Sequence, residues 1–387
     1  MSEPVRRRLA IASRIVDGVT GTTTTILEHT RRLAALGWEV VVFGEAVDEK
    51  RIGQAGGVAR RLVGFPWGSY VKRRLFSWQF NRAIRGEKFD ILWGHGDTLD
   101  QDVLSLHNCV HLAHEEIHGA PLPEGSGVGK LHAEMLSGRK FKILIANSRL
   151  MKDDAVRRFG VPAESVRVIH PGFSQSRFRP QDWPLGAPLR RELGMAEGEI
   201  LLGLVTSGDF VKRGVALFLK AVGGLREELR SKLHVLIVGR EKDLEPYRRL
   251  AGEAGLGERA RFLAPRPEVE RIYHALDLMV HPALFEEFGQ SVQEAMACGV
   301  PVVTSARVGA AELLAPDCEA RRQLLNRPTE EGVRAALEKT LGDPALRRRI
   351  AEDGIQACRD NSWDRNFRLT SEIYQSLLSS GHGGEGA

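Results

Sequence analysis

At 387 residues the chain is too long for one ordinary hydrophobic core and suits two domains of roughly 150–200 residues each. Its 42% hydrophobic and 27% charged residues fit a globular protein and argue against a disordered one. No apolar run approaches the ~20 residues of a membrane-spanning helix, and Met1–Ala10 carries three arginines but no apolar core of secretory length, so a cytoplasmic protein is expected. Cys109, Cys298, Cys318 and Cys358 are scattered without a two-residue spacing, which argues against a disulfide framework or a zinc site and for reduced, mostly buried thiols.

The formal charge of +5 is unevenly placed. Residues 1–180 hold 27 Lys+Arg against 19 Asp+Glu, a net of +8, and the remainder 28 against 31, a net of −3. Within the basic half, Gly57–Phe89 carries Arg60, Arg61, Lys72, Arg73, Arg74, Arg82, Arg85 and Lys88 with one acid, Glu87, among Phe65, Trp67, Tyr70, Phe76, Trp78, Phe80 and Phe89. Such a segment can lie on an anionic inner-membrane surface, because aromatics suit headgroups and each Lys or Arg near the surface adds about 1 kcal/mol. A solvated helix with its aromatics in the core explains the composition equally well. No nucleic-acid-binding motif is present.

Taken in chain order, Arg7–Ser13 reads as a first strand, Arg14–Gly21 as a loop, Thr22–Leu36 as a helix with Ile26, Leu33 and Leu36 on one face, and Glu39–Phe43 as a strand after Gly37. Strand-like runs at Phe89–Trp93, Lys142–Ala146 and Val166–Ile169 continue a parallel β-α pattern to about residue 172. Four prolines between His170 and Gly198 and no periodicity mark 173–198 as a linker. A second alternation fills 199–362. It has strands at Ile200–Val205, Leu233–Val238, Ala260–Leu263, Leu278–His281 and Pro301–Thr304, and helices at Gly214–Leu229, Leu244–Glu253, Glu268–Ala275 and Ser291–Cys298. Trp363–Leu378 predicts a last helix and the Gly-rich 379–387 a disordered tail. The expectation is therefore α/β, with two Rossmann-like domains at 1–172 and 199–362.

Ligands of open parallel sheets bind beyond the carboxyl ends of the strands. Two loops there carry chemistry. In Thr206–Gly214 (TSGDFVKRG), Lys212 and Arg213 precede a helix N-terminus, which with its free N–H groups makes a diphosphate site. In His281–Thr304 (HPALFEEFGQSVQEAMACGVPVVT), Glu286 lies in a loop, Gly289, Gln290 and Ser291 lead into a helix, and Glu294 is expected on its first turn. Gly289 lets a phosphate approach the backbone. A carboxylate at Glu294 suits ribose hydroxyls, though capping alone also favours an acid at a helix start.

Glu286–x7–Glu294, with Phe288, Gly289, Ala295, Gly299 and Pro301, resembles the donor-site signature of the retaining glycosyltransferase family 4, of the two-domain GT-B fold. Gly37-Trp38-Glu39-Val40, Ala146-Asn147-Ser148, His170-Pro171-Gly172 and Trp363–Tyr374 extend the resemblance over most of the chain. Ser207–Gly214 is closer to the lipopolysaccharide core glucosyltransferase I branch, with Lys212-Arg213 in reversed order. The resemblance implies a cleft between the two domains and a C-terminal helix that closes back on the first. It implies that Lys212 and Arg213 neutralise the leaving diphosphate, Glu294 holds the ribose and Glu286 contacts the transferred sugar. Gly289, Gln290 and Ser291 would offer backbone groups, Gly21 would let the first domain approach the diphosphate, and His107 would stand near the donor sugar. Retention, no required metal or other cofactor, a nucleotide-sugar donor, with UDP-glucose the expectation, and a glycan or glycolipid acceptor such as lipopolysaccharide core follow from the same resemblance. Another GT-B activity, such as an epimerase or phosphorylase, and an inactive sugar-nucleotide-binding protein are the alternatives.

Three further patterns carry less. Gly125–Lys130 (GSGVGK) lacks the first glycine, the final Ser/Thr and the preceding strand of a phosphate loop. His107, His111, His114 and His118 are spaced for one helix face, without a Cys or acid to complete a metal set. Asp100-Gln101-Asp102 matches the Asp-x-Asp of metal-dependent transferases of another fold, a match short enough to arise by chance.

Overall fold

The computed structural model describes residues 6–18, 20–66, 69–181 and 185–381. Trp67 of the basic aromatic segment, residues 182–184 of the expected linker and 382–387 of the expected tail lie outside the described residues. The chain divides into two compact units, residues 1–171 with 363–387, and residues 172–362.

In the first unit seven parallel strands form one sheet: β1 Arg8–Ala12, β2 Glu39–Gly44, β3 Val58–Arg61, β4 Ile91–Gly94, β5 Val103–Leu106, β6 Ile143–Ala146 and β7 Val166–Val168. Their spatial order is β3-β2-β1-β4-β5-β6-β7, so the order reverses between β1 and β4. Near-continuous apolar runs such as Ala10-Ile11-Ala12 and Val41-Val42-Phe43 are buried because helices cover both faces. Helix Gly21–Ala35 is capped by Thr20, whose hydroxyl accepts from the Thr23 N–H at 3.1 Å.

The last helix runs Trp363–Gly381, three residues into the expected tail. It belongs to the first unit, with Ile373 and Tyr374 buried beside Trp38 and Trp93. Asn366 ties it down: its Nδ2 donates to the His170 carbonyl at 2.8 Å and its Oδ1 pairs with His29 Nε2 at 2.7 Å.

The second unit carries β8 Ile200–Gly208, β9 Leu233–Arg240, β10 Ala260–Leu263, β11 Leu278–His281 and β12 Val302–Thr304, all parallel, in the order β10-β9-β8-β11-β12. The expected helix Gly214–Leu229 is two helices, Val215–Gly223 and Glu227–Arg230, divided at Gly224-Leu225. The expected linker is corrected most. Phe173, Phe178, Leu189 and Leu193 enter the core of the second unit, and Ala187–Glu192 is a helix. Prolines end regular structure locally but do not prevent the apolar residues between them from anchoring.

The basic aromatic segment folds largely inward. Phe76 and Phe80 are core residues on helix Ser69–Ala83, and Arg60, Lys72, Arg73 and Arg74 pair with Glu87, Glu45, Asp97 and Glu134. Trp78 stays 57% exposed under Arg82. Among the described residues no helix is long and apolar enough to cross a membrane. None of the four cysteines forms a disulfide, and Cys109, Cys298 and Cys358 are buried.

Candidate active site

The second unit brings most of the expected site residues together where its strand order reverses, between β8 and β11. Past β8 the chain turns sharply. Asp209 takes φ 56°, and its Oδ1 accepts from the Lys212 N–H at 3.2 Å. Gly214 follows at φ 70°, as the cap of helix Val215–Gly223. A Cβ there would sit 2.2 Å from the Pro282 carbonyl oxygen, so only glycine lets this loop lie against the one after β11. The Leu284 N–H donates to the Lys212 carbonyl at 2.9 Å, fastening the two loops.

The side chains then pair across them. Lys212 Nζ lies 2.7 Å from Glu287 Oε2 and 5.6 Å from the Phe285 ring centre. Arg213 Nη2 donates to Glu286 Oε1 at 2.8 Å, and the other Glu286 oxygen is 2.7 Å from His281 Nε2. Burial pushes the Glu286 carboxyl up, but Arg213, the His281 hydrogen bond and Lys212 together hold it well below the usual carboxylate range. Its backbone is fixed as well: the Glu286 N–H donates to Arg307 O, and its carbonyl accepts from Gly309 N–H at 3.1 Å. Glu286 is thus an oriented, ionised carboxylate beside two cations.

Gly289 caps helix Gln290–Ala297 at φ 89°, where a Cβ would meet Val308 Cγ1 at 2.8 Å. Gln290 and Ser291 open the helix and present N–H groups that no preceding turn can accept. Glu294 lies on the second turn of this helix, not the first as expected, because the helix starts at Gln290 and one turn takes 3.6 residues. It therefore has no capping role. Its Oε2 accepts instead from the buried Tyr273 hydroxyl at 2.8 Å. Burial raises its carboxyl to about 7, against the pull of that hydrogen bond and of Arg177.

Gly21 and His107 belong to the first unit. Gly21 is exposed and is the first residue of helix Gly21–Ala35. His107 follows β5 and pairs with His95, which follows β4, through His107 Nε2 and His95 Nδ1 at 2.8 Å. The rings are 4° from parallel with centres 5.1 Å apart, the spacing of an in-plane hydrogen bond and too long for a face-to-face stack.

The four histidines do not converge. His111 lies against Phe159, and His114 contacts the His118 ring. Asp102 serves the sheet, accepting from the Leu92 N–H and pairing with Lys142. Ser126 of the glycine-rich loop caps helix Gly127–Gly138. Among the described residues no group of three or more His, Cys, Asp or Glu could hold a metal ion.

His281, Tyr273, Glu287 and His95 were not singled out by sequence. The available signal was position: His281 ends β11, and His95 follows the last residue of β4.

Residues 189–357 match the family model Glycosyl transferases group 1, and residues 19–177 match Glycosyltransferase Family 4. The chain is 31% identical over 251 residues to a D-inositol 3-phosphate glycosyltransferase of Corynebacterium jeikeium, covering 63% of this chain and 59% of that relative. To the enzyme of the same name from Streptomyces bingchenggensis it is 27% identical over 392 residues, covering 92% of this chain and 85% of the relative. Among solved structures, WaaG, a glycosyltransferase involved in lipopolysaccharide biosynthesis, superposes with a TM-score of 0.77 at 19% identity, over 95% of this chain and 99% of that one. Anabaena HepE, solved in complex with UDP-glucose, superposes with a TM-score of 0.76 at 17% identity, over 95% and 99%. At these identities the structural likenesses establish the architecture, two Rossmann-like domains of the GT-B fold.

Proposed function

We propose that this GT-B glycosyltransferase of the group 1 and family 4 kind transfers a hexosyl group, with retention and without a metal, from a nucleotide sugar to a hydroxyl of a glycan or glycolipid acceptor. The observation that carries the reading is the convergence of Lys212, Arg213 and Glu286 at the carboxyl ends of β8 and β11, within 2.8 Å of their partners. A departing diphosphate bears the charge that develops as the glycosidic bond breaks. Preorganised cations stabilise it more in the transition state than in the ground state, which is the usual main source of rate enhancement.

Lys212 and Arg213 take that role, exchanging their carboxylate partners for phosphate oxygens. Glu286 receives sugar hydroxyls, Glu294 the ribose, and Gly289, Gln290 and Ser291 backbone contacts to sugar or phosphate. The donor-side roles of Gly21 and His107, both on the first unit, rest on the family resemblance alone. UDP-glucose is the donor of choice because HepE was solved with it.

For the acceptor, WaaG favours a lipopolysaccharide-type glycan, while the sequence relatives favour a polyol phosphate. A peripheral position on the inner membrane face through 57–89 has Trp78 and Arg82 in its favour. It has against it the four basic residues engaged in ion pairs. Release of UDP from UDP-glucose, measured with and without acceptor in the wild type and in Glu286→Ala, tests the reading. Acceptor-dependent release abolished in the variant supports it. Release that is independent of acceptor, or unaffected by the substitution, overturns it.

A further inference from the structure

Two adjacent cations of the second unit meet two adjacent carboxylates crosswise: Arg213 pairs with Glu286, and Lys212 with Glu287. The two acids have different surroundings. Glu286 is held on its other oxygen by His281 Nε2 at 2.7 Å, so it keeps a donor and an orientation when Arg213 turns to a phosphate. Glu287 Oε2 holds the Lys212 ammonium at 2.7 Å, in a pair whose side chains are only 12% and 11% exposed. An ion pair so far out of water is stronger than one on the surface, and separating it is costly.

The backbones on both sides of this pair are fixed, and the ammonium is the part that can move. Phe285 and Phe288, 0% and 4% exposed, anchor the segment that carries Glu286 and Glu287. The Ala310 N–H donates to the Phe288 carbonyl at 2.6 Å and holds the segment from its other side. Lys212 has its N–H on Asp209 and its carbonyl on Leu284. Its side chain is a compact charge on a flexible four-carbon stem, suited to passing between two anionic partners.

We propose that Glu287 is a positioning residue for product release, which competes with the bound diphosphate for Lys212 and recaptures the ammonium as the nucleoside diphosphate leaves. The assignment rests on the transferase reading above and concerns the same site. Glu287 acts on the ligand through Lys212, and contact with the ligand is not required. Every complex in which Lys212 faces a phosphate is weakened by the strength of the Lys212–Glu287 pair. A penalty shared by bound states lowers affinity without raising the barrier between them. Its consequence is faster departure of product, a step that commonly sets kcat.

The test uses the full chain and UDP itself. UDP is titrated calorimetrically into the wild type, Glu287→Gln, Lys212→Gln and the double variant, with melting temperatures as the check on folding. Glu287→Gln keeps the shape and removes the charge, so its dissociation constant for UDP should fall about tenfold or more, the scale of one charge-assisted contact. In the Lys212→Gln background the same substitution should change UDP affinity by no more than about twofold, because no ammonium is left to contest. Glu287→Asp, one methylene shorter, should give an intermediate constant and carries the comparison if the amide variant does not fold.

Unchanged or weaker UDP binding in Glu287→Gln overturns the proposal. Equal tightening in both backgrounds also overturns it, since the carboxylate would then act by repelling the diphosphate directly. Stopped-flow displacement of UDP gives the second readout, in which dissociation from Glu287→Gln should slow by the factor gained in affinity. A gain carried by faster association alone removes the release role. A wild type that does not bind UDP overturns the transferase reading, whereas wild-type binding that Glu287→Gln leaves untouched overturns the role of Glu287 alone.

Discussion

Arg213 and Glu286 form a 2.8 Å ion pair whose carboxylate is held on its other oxygen by His281 at 2.7 Å. Three constraints, two on the side chain and one on a backbone bonded to Arg307 and Gly309, leave Glu286 little freedom. Glu286→Gln keeps the shape but removes the charge that Arg213 and His281 face. We expect kcat for transfer to fall by about 10²-fold or more, with a smaller change in KM for the donor. Steady-state kinetics decide it, and a variant with wild-type kcat would remove Glu286 from the reaction.

Glu294 gives the second unit a pH signature. Its folded carboxyl titrates near 7, above the ordinary value of 4.5, because burial outweighs the Tyr273 hydrogen bond. The folded state therefore binds more protons than the unfolded one between those values, and this group's contribution to stability falls as pH rises through that window. Glu294→Gln should flatten that fall in a series of thermal melts. The ionised form is the better acceptor for ribose hydroxyls, so UDP affinity should increase from about pH 6 to pH 8. Tyr273→Phe removes the hydrogen bond that lowers the carboxyl and should move the midpoint of the UDP affinity profile upward. Calorimetry across that range checks both, and a flat profile would contradict the ribose assignment.

The parts of this protein legible in its sequence are those encoded by local pattern. The apolar runs that became β8, β9, β10 and β11 begin where the pattern places them, β10 and β11 also end there, and β8 and β9 run three and two residues further. Strand β3 was missed because Val58–Arg61 is a sheet-edge strand with two arginines in four residues, and edge strands do not need the apolar run that marks a buried one. Prolines hid the anchoring role of Phe173 and Phe178, whose partner cluster includes Tyr273, about a hundred residues away. The site divides the same way. Lys212, Arg213, Glu286 and Gly289 were readable as loop chemistry, but the pairing of Lys212 with Glu287 spans 75 positions and no spacing encodes it. The ambiguity over Glu294 was resolved by one fact, the start of its helix at Gln290, which removes capping as an explanation.

Gly214 links the two site loops. With φ 70° and the Pro282 oxygen 2.2 Å from where a Cβ would sit, Gly214→Ala both strains the backbone and drives the loops apart. Because the clashing atom is backbone, no side-chain rotation relieves it. The cost should exceed about 2 kcal/mol, seen as a lower midpoint in urea unfolding. Fully folded molecules should also lose donor affinity, since Lys212 and Arg213 are displaced with the loop. A Gly214→Ala protein with wild-type stability would refute the close approach.

The first unit should respond to pH with the opposite sign. His29, His95, His107 and His132 are desolvated, which brings His29 and His107 down to about 4, His132 to about 3 and His95 well below its ordinary value of 6.5. Folded, they stay neutral while the unfolded chain takes up protons, so stability is full above about pH 6.5 and is lost progressively as pH falls toward 4. His29 is the most informative to change, because its ring nitrogen meets Asn366 at 2.7 Å and so couples acidification to the last helix. Protonation puts a charge between Trp93 and Phe367, whose rings contact it, beside one amide oxygen that can accept only part of the cost. His29→Gln keeps a hydrogen-bonding group that does not titrate, and should reduce the loss of melting temperature between pH 7 and pH 5 relative to wild type. Asn366→Leu should lower stability at every pH by about 1–3 kcal/mol, since it removes the hydrogen bonds to the His29 nitrogen and to the His170 carbonyl. Equal acid sensitivity in wild type and His29→Gln would place the response on the other three histidines.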